Sequence, residues 1–106
     1  MAKFLIQGSY TPEGAKGLIK EGASGRKAAI AKALESLGGK LEAIYYTFGA
    51  DDLVVICDLP DTVSGIAIGL AANAGGSLRI STTPLLSVED VDAACKKAVA
   101  YRPAGA

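Results

Sequence analysis

The sequence has no histidine. That absence removes His-liganded zinc, a His-ligated haem, a Ser-His dyad and a histidine general base from the available chemistry. Cysteine is scarce too. Cys57 and Cys95 are too far apart for a CxxC motif, and both read as small buried hydrophobes in a reducing cytosol. Net charge is missing: 11 basic residues cancel 11 acidic ones. The electrostatic footprint of a nucleic-acid or anionic-membrane binder is therefore absent. Association is also less restrained near zero net charge.

Long apolar runs are lacking as well. The longest nearly charge-free stretch, Thr62 to Leu78, is interrupted by Gly65, Gly69, Asn73, Gly75 and Gly76, which argues against a membrane-spanning helix. Near the start, Lys3 is followed only by Phe4, Leu5 and Ile6 before Gln7, too short a run for a secretory leader. The expectation is a soluble cytoplasmic protein. Gly14, Gly17, Gly22 and Gly25 do not follow a strand as G-x-G-x-x-G, and no G-x-x-x-x-G-K-S/T occurs, so no nucleotide fingerprint is present. Neither a cofactor nor a metal is expected.

What is present suffices for one folded domain. Half of the 106 residues are hydrophobic and 21% are charged, well outside the range of disordered chains. A chain of this length buries about 60 to 70% of its unfolded surface, enough for one modest core. Residues 1–100 form the expected domain and 101–106 a tail.

Hydrophobic alternation predicts strands at Ala2 to Ser9, Lys40 to Thr47, Asp52 to Leu59 and Ser77 to Leu85. Thr11-Pro12-Glu13 is a helix start with a Thr cap, Pro at the first position and an early acid. A short helical turn should follow, then a break near Gly22 to Ser24 and a second helix from Ser24. Ile30, Leu34 and Leu37 stripe that second helix, and Gly38-Gly39 ends it through a left-handed cap. Alternation places Leu41, Ala43, Tyr45 and Thr47 on one face of the second strand. It places Glu42, Ile44, Tyr46 and Phe48 on the other. In the third strand, Leu53, Val55, Cys57 and Leu59 oppose Val54 and Ile56, the mark of burial on both faces. Asp61 is the candidate cap of the next helix, whose core stripe is Val63, Ile66, Ala67 and Leu70. Ser87 starts a terminal helix with Glu89 and Asp90 in its first turn.

The order β-α-β-β-α-β plus a C-terminal helix is the split βαβ, ferredoxin-like α+β unit. Two main helices cover one face of a four-stranded antiparallel sheet. One terminal helix covers only part of the other face, so a homodimer with facing sheets is expected.

Gly8-Ser9-Tyr10-Thr11-Pro12-Glu13-Gly14, Leu37-Gly38-Gly39, Tyr45-Tyr46-Thr47-Phe48-Gly49, Asp52-Leu53-Val54-Val55 and Leu59-Pro60-Asp61 resemble the GYD-domain proteins. These are small bacterial proteins of the dimeric α/β-barrel group. The resemblance runs from about Phe4 to Glu89. The family's naming motif, Gly-x-Tyr-Asp, reads Gly49-Ala50-Asp51-Asp52 here, with Asp51 in the tyrosine's place. The resemblance implies the fold and dimerisation, and carries no established reaction.

Six residues are candidate ligand contacts. Asp52 opens the third strand beside Val54 and Ile56, where a carboxylate needs water, a partner or a hydrogen bond. Arg79 and Arg26 are possible anion ligands and possible partners for Asp52. Tyr46 and Phe48 are placed to wall a pocket from the paired strand. Gln7 needs a partner if buried in its apolar strand. Asp51 reads as turn chemistry. Three functions fit: a small-molecule binder using a pocket in a dimeric barrel, a cofactor-independent enzyme of monooxygenase or isomerase type, and an assembly protein. The expected partners are a second copy of the chain and a small molecule.

Overall fold

The computed structural model describes all 106 residues. Its elements are β1 (Ala2–Tyr10), α1 (Pro12–Ser36), β2 (Lys40–Tyr46), β3 (Leu53–Leu59), α2 (Thr62–Ala74), β4 (Leu78–Leu85) and α3 (Val88–Cys95). The strands form one antiparallel sheet in the order β2-β3-β1-β4, and α1 and α2 lie on one of its faces. This is the ferredoxin-like arrangement that the element order predicts.

Each helix begins on the side-chain cap expected from its sequence. The Thr11, Asp61 and Ser87 oxygens accept hydrogen bonds from the amides of Gly14, Ser64 and Asp90, satisfying donors that the first helical turn leaves free. α1 is two helices joined at Gly22, whose φ of 81° and ψ of 161° break the helix. The break lies where the clustered glycines predict it, but the segment before it is longer than a single turn. α1 is capped at Leu37, and the chain turns away at Gly38, whose φ of 78° is the left-handed geometry that glycine adopts without steric cost.

The core lies between the sheet and the two helices. It comprises Phe4 and Ile6 of β1, Leu53, Val55, Cys57 and Leu59 of β3, Leu34 of α1 and Leu78 of β4. α1 sits over β2, while α2 sits over β4. The two helices barely touch each other.

Three expectations about side-chain direction are corrected. In β2, Leu41 pairs with Cys57, but Ala43 pairs with Ile56, so Glu42 is an extra residue in a bulge. The bulge resets the alternation. Ile44 and Tyr46, paired with Val55 and Leu53, therefore face the helices and pack on the core. Tyr46 does not share a face with Val54 and Ile56.

In α2, Val63, Ile66 and Leu70 are 72%, 57% and 67% exposed, so the three large members of the predicted stripe point outward and only Ala67 is half-buried. Gly65 and Ile68 face the sheet instead. A Cβ at Gly65 would lie 3.1 Å from the Phe4 ring, and one at Gly69 would lie 3.6 Å from Thr82 Oγ1. The two glycines bring the helix backbone onto the strands, and the larger side chains are turned away. The third correction concerns Cys95, which is exposed; Cys57 is buried, and both are free thiols.

The second face of the sheet carries Leu5, Gln7, Val54, Ile56, Arg79 and Ser81 and has no helix on it. α3 does not pack appreciably on the sheet or on α1 and α2. No helix is long and apolar enough to cross a membrane.

Candidate functional site

The open sheet face divides into three zones. At one end Lys3 Nζ donates to Glu42 Oε1 and Asp58 Oδ1, both at 3.0 Å. The hydrogen bonds to Glu42 and then Asp58 raise the Lys3 pKa from its ordinary 10.5. The bulge in β2 allows Glu42 to reach this group. The middle is apolar: Leu5 pairs with Ile56 across β1 and β3, and Val54 lies next along β3, opposite the exposed Tyr45 of β2. At the far end lies an open depression of about 460 Å³, lined by Gln7, Ser9, Asp51, Asn73, Arg79, Ile80 and Ser81.

The register builds that depression. Gln7 pairs with Ser81 and Ser9 pairs with Arg79, so four polar side chains of β1 and β4 line one surface. Asn73 closes its edge: its side-chain oxygen accepts from Ile80 N at 2.7 Å, and its amide donates to Ile80 O at 3.2 Å. The amide thus stands in for a neighbouring strand along the free edge of β4. Asp51 enters from the β2–β3 loop. Ion pairs in the molecule join only Lys3 to Glu42 and Asp58, and Arg26 to Glu21. Asp51 and Arg79 therefore share the depression with neither one in an ion pair. The site offers an anion-binding fork and a hydrogen-bond acceptor.

Asp52, one residue on, has a different job. Its Oδ2 accepts from Tyr10 N at 2.9 Å, while its own amide donates to Gly8 O at 2.8 Å. β1 runs two residues past the start of β3, and the Asp52 carboxylate occupies the position of the missing strand partner of Tyr10. Neither Arg79 nor Arg26 pairs with it.

The remaining candidates lie on the helix side. Tyr46 stacks between Tyr10 (centroids 6.4 Å, 9° between planes) and Phe48 (5.9 Å, 21°). The Tyr10 and Tyr46 hydroxyls are 3.3 Å apart. Burial pushes the Tyr46 phenol up to about 12, Tyr10 adds to the rise, and the nearby Arg26 charge opposes it. Tyr46 is therefore a neutral hydrogen-bonding group at any physiological pH. Phe48 is 68% exposed and has a φ of 49°, uncommon for a residue with a side chain.

Of the six predicted contacts, the structure thus brings Gln7 and Arg79 together on the open face. It groups Arg26, Tyr46 and Phe48 on the opposite side and leaves Asp52 in the loop between. Sequence reasoning missed Asp51 and Ser9 as members of the depression. The only available signal for Ser9 was its alternation with Gln7. Nowhere do three Asp, Glu or Cys side chains converge as a metal centre would need.

The sequence profile of the GYD domain matches residues 4–95. Comparison with curated proteins and with solved structures yields no match.

Proposed function

The chain belongs to the GYD domain family, and on that premise we propose that it is a cytoplasmic homodimer, at the least, that binds a small molecule at the open face of its sheet. One observation carries this reading: the uncovered face joins an apolar centre to a depression holding Asp51 and Arg79 outside any ion pair. Leu5, Val54 and Ile56 gain by leaving water, and the protein's own helices offer no cover. A second sheet laid face to face would supply it, at the spacing of about 10 Å usual for packed sheets. The depression at the rim would then become an enclosed pocket, where Arg79 suits an anionic group and Asp51 suits a donor such as a hydroxyl or amine. Two unbridged thiols fit a reducing compartment. If the ligand is also turned over, Asp51 is the only carboxylate lining the depression able to move a proton. The outward stripe Val63, Ile66 and Leu70 of α2 supports a further contact between dimers.

Light scattering at micromolar concentration, combined with mass spectrometry of compounds that copurify, tests the proposal. The expected result is a dimer carrying a small polar compound, with occupancy lost in Arg79→Gln and Asp51→Asn while the dimer persists. A monomer at all concentrations would overturn the assembly. A compound retained equally by both variants would overturn the site.

A further inference from the structure

The gap between α1 and α2 is a second cavity, on the opposite face of the sheet from the depression. Its volume is about 260 Å³. Ile6 and Val55 of the two central strands form its floor, with Ala29 and Ala33 of α1 and Ala72 of α2 among its walls. Because α1 stands over one edge of the sheet and α2 over the other, alanines face each other across a space that larger side chains would close. Twelve of its thirteen lining residues are hydrophobic, and the exception is Arg26.

Arg26 is not a satisfied surface arginine. Its side chain is 27% exposed and its one ionic partner, Glu21, is 3.5 Å away. Its Nε is shielded from solvent and has no hydrogen-bond partner. An orphaned donor of that kind calls for an acceptor, and the guanidinium fork matches a carboxylate with two parallel bonds. Arg26 also lines a smaller cavity with Tyr10, Ser77 and the carboxylates Glu13 and Glu21, so polar groups gather at this end of the cleft and nowhere else along it.

We propose that the cleft between α1 and α2 binds a carboxylate with a short apolar body, such as a medium-chain or monocyclic aromatic acid. The apolar part lies between the facing alanines, and the carboxylate accepts from Arg26. The size is suitable, since a dry cavity of about 150 Å³ accommodates a benzene ring. The commitment to a carboxylate follows from Arg26, the one charged residue lining the cleft, whose Nε lacks an acceptor although Glu21 lies 3.5 Å from a terminal nitrogen.

Octanoate and octanol, titrated into the full chain by calorimetry, test the proposal, with Arg26→Met and Ala72→Leu as variants. Octanoate should bind saturably and at least about tenfold more tightly than octanol, a gap of about 1.4 kcal/mol. Arg26→Met should abolish the preference but keep octanol binding, and Ala72→Leu should weaken both by filling the cleft. Equal binding of acid and alcohol, a preference that survives Arg26→Met, indifference to Ala72→Leu, or no saturable binding would each overturn it. So would an affinity that falls as protein concentration rises, because a second copy would then be filling the cleft. The first four of these outcomes bear on neither the dimer nor the depression across the sheet.

Discussion

The thiol of Cys57 lies in the middle of β3 with no exposed surface, and burial pushes its pKa from 9.0 up to about 11, with the Asp58 charge adding to the rise. The folded chain therefore holds this proton where the unfolded chain releases it. Stability from the neutral thiol is complete below pH 9 and declines as pH rises from 9 to about 11, by about 2 kcal/mol over the full range. Thermal melts between pH 8 and 11 should show the loss beginning near 9, and Cys57→Val should remove that first part. An unchanged alkaline profile in the variant would place the cause elsewhere. The adjacent aspartates give a second test at this scale. Asp52→Ala leaves the Tyr10 amide without its partner and should cost about 1 to 3 kcal/mol. Asp51→Ala removes no hydrogen bond made by its side chain and should stay within about 0.5 kcal/mol, while altering ligand binding. Equal losses in urea unfolding would reject this division. The sequence shows that Gly49-Ala50-Asp51 suffices for the turn. Which carboxylate reaches the depression depends on how far β1 outruns β3, and no single segment encodes that.

Element identity was legible because it rests on local signals. Thr11-Pro12, Asp61 and Ser87 cap helices through oxygens only three residues from their targets, and Gly22 and Gly38 adopt the positive φ that their residue type invites. Element orientation was less legible. A period of two carries no information about the bulge at Glu42, so simple alternation puts every later side chain of β2 on the wrong face, Tyr46 included. In α2 a tally of apolar residues chooses Val63, Ile66 and Leu70, whereas the helix lies on its glycines because Phe4 fills the space beneath Gly65. Glycines in α1 separate the two kinds of cause. A Cβ at Gly14 would meet the Ser77 carbonyl oxygen at 1.9 Å, whereas one at Gly17 meets nothing within 4 Å. Gly14→Ala should therefore cost about 1 to 3 kcal/mol by forcing α1 away from the Gly76-Ser77 turn. Gly17→Ala should stabilise the chain by about 0.5 to 1 kcal/mol by reducing the freedom of the unfolded state. Both are read from denaturant midpoints, and a destabilising Gly17→Ala would mean that this face of α1 is covered in solution.

The whole chain is longer than one compact domain. Its radius of gyration is 16.9 Å and its extents are 56 × 32 × 22 Å, against about 13 Å for a compact domain of this length. The C-terminal arm departs from the body after β4. Leu86, Val88, Val99 and Tyr101 are each more than 70% exposed on it, and Val91 is 47% exposed. An eight-residue helix is too short to hold itself together in water, so its persistence needs a surface that its own domain does not provide. The proposed dimer supplies one, since the arm of each copy can lie along the edge of the other. Ile56 is at the centre of the open face, and Ile56→Lys places a charge where the two sheets would meet. The variant should be monomeric by light scattering, with its melting temperature lowered. Hydrogen exchange then locates the arm. Amides of residues 88–95 should exchange slowly in the native dimer and at least about tenfold faster in Ile56→Lys, while the core amides of β1 and β3 stay protected in both. Slow exchange of the arm in a monomer would mean that α3 folds back on its own sheet. Fast exchange in both proteins would leave a dimer held by its sheets alone, with the arm free in solution.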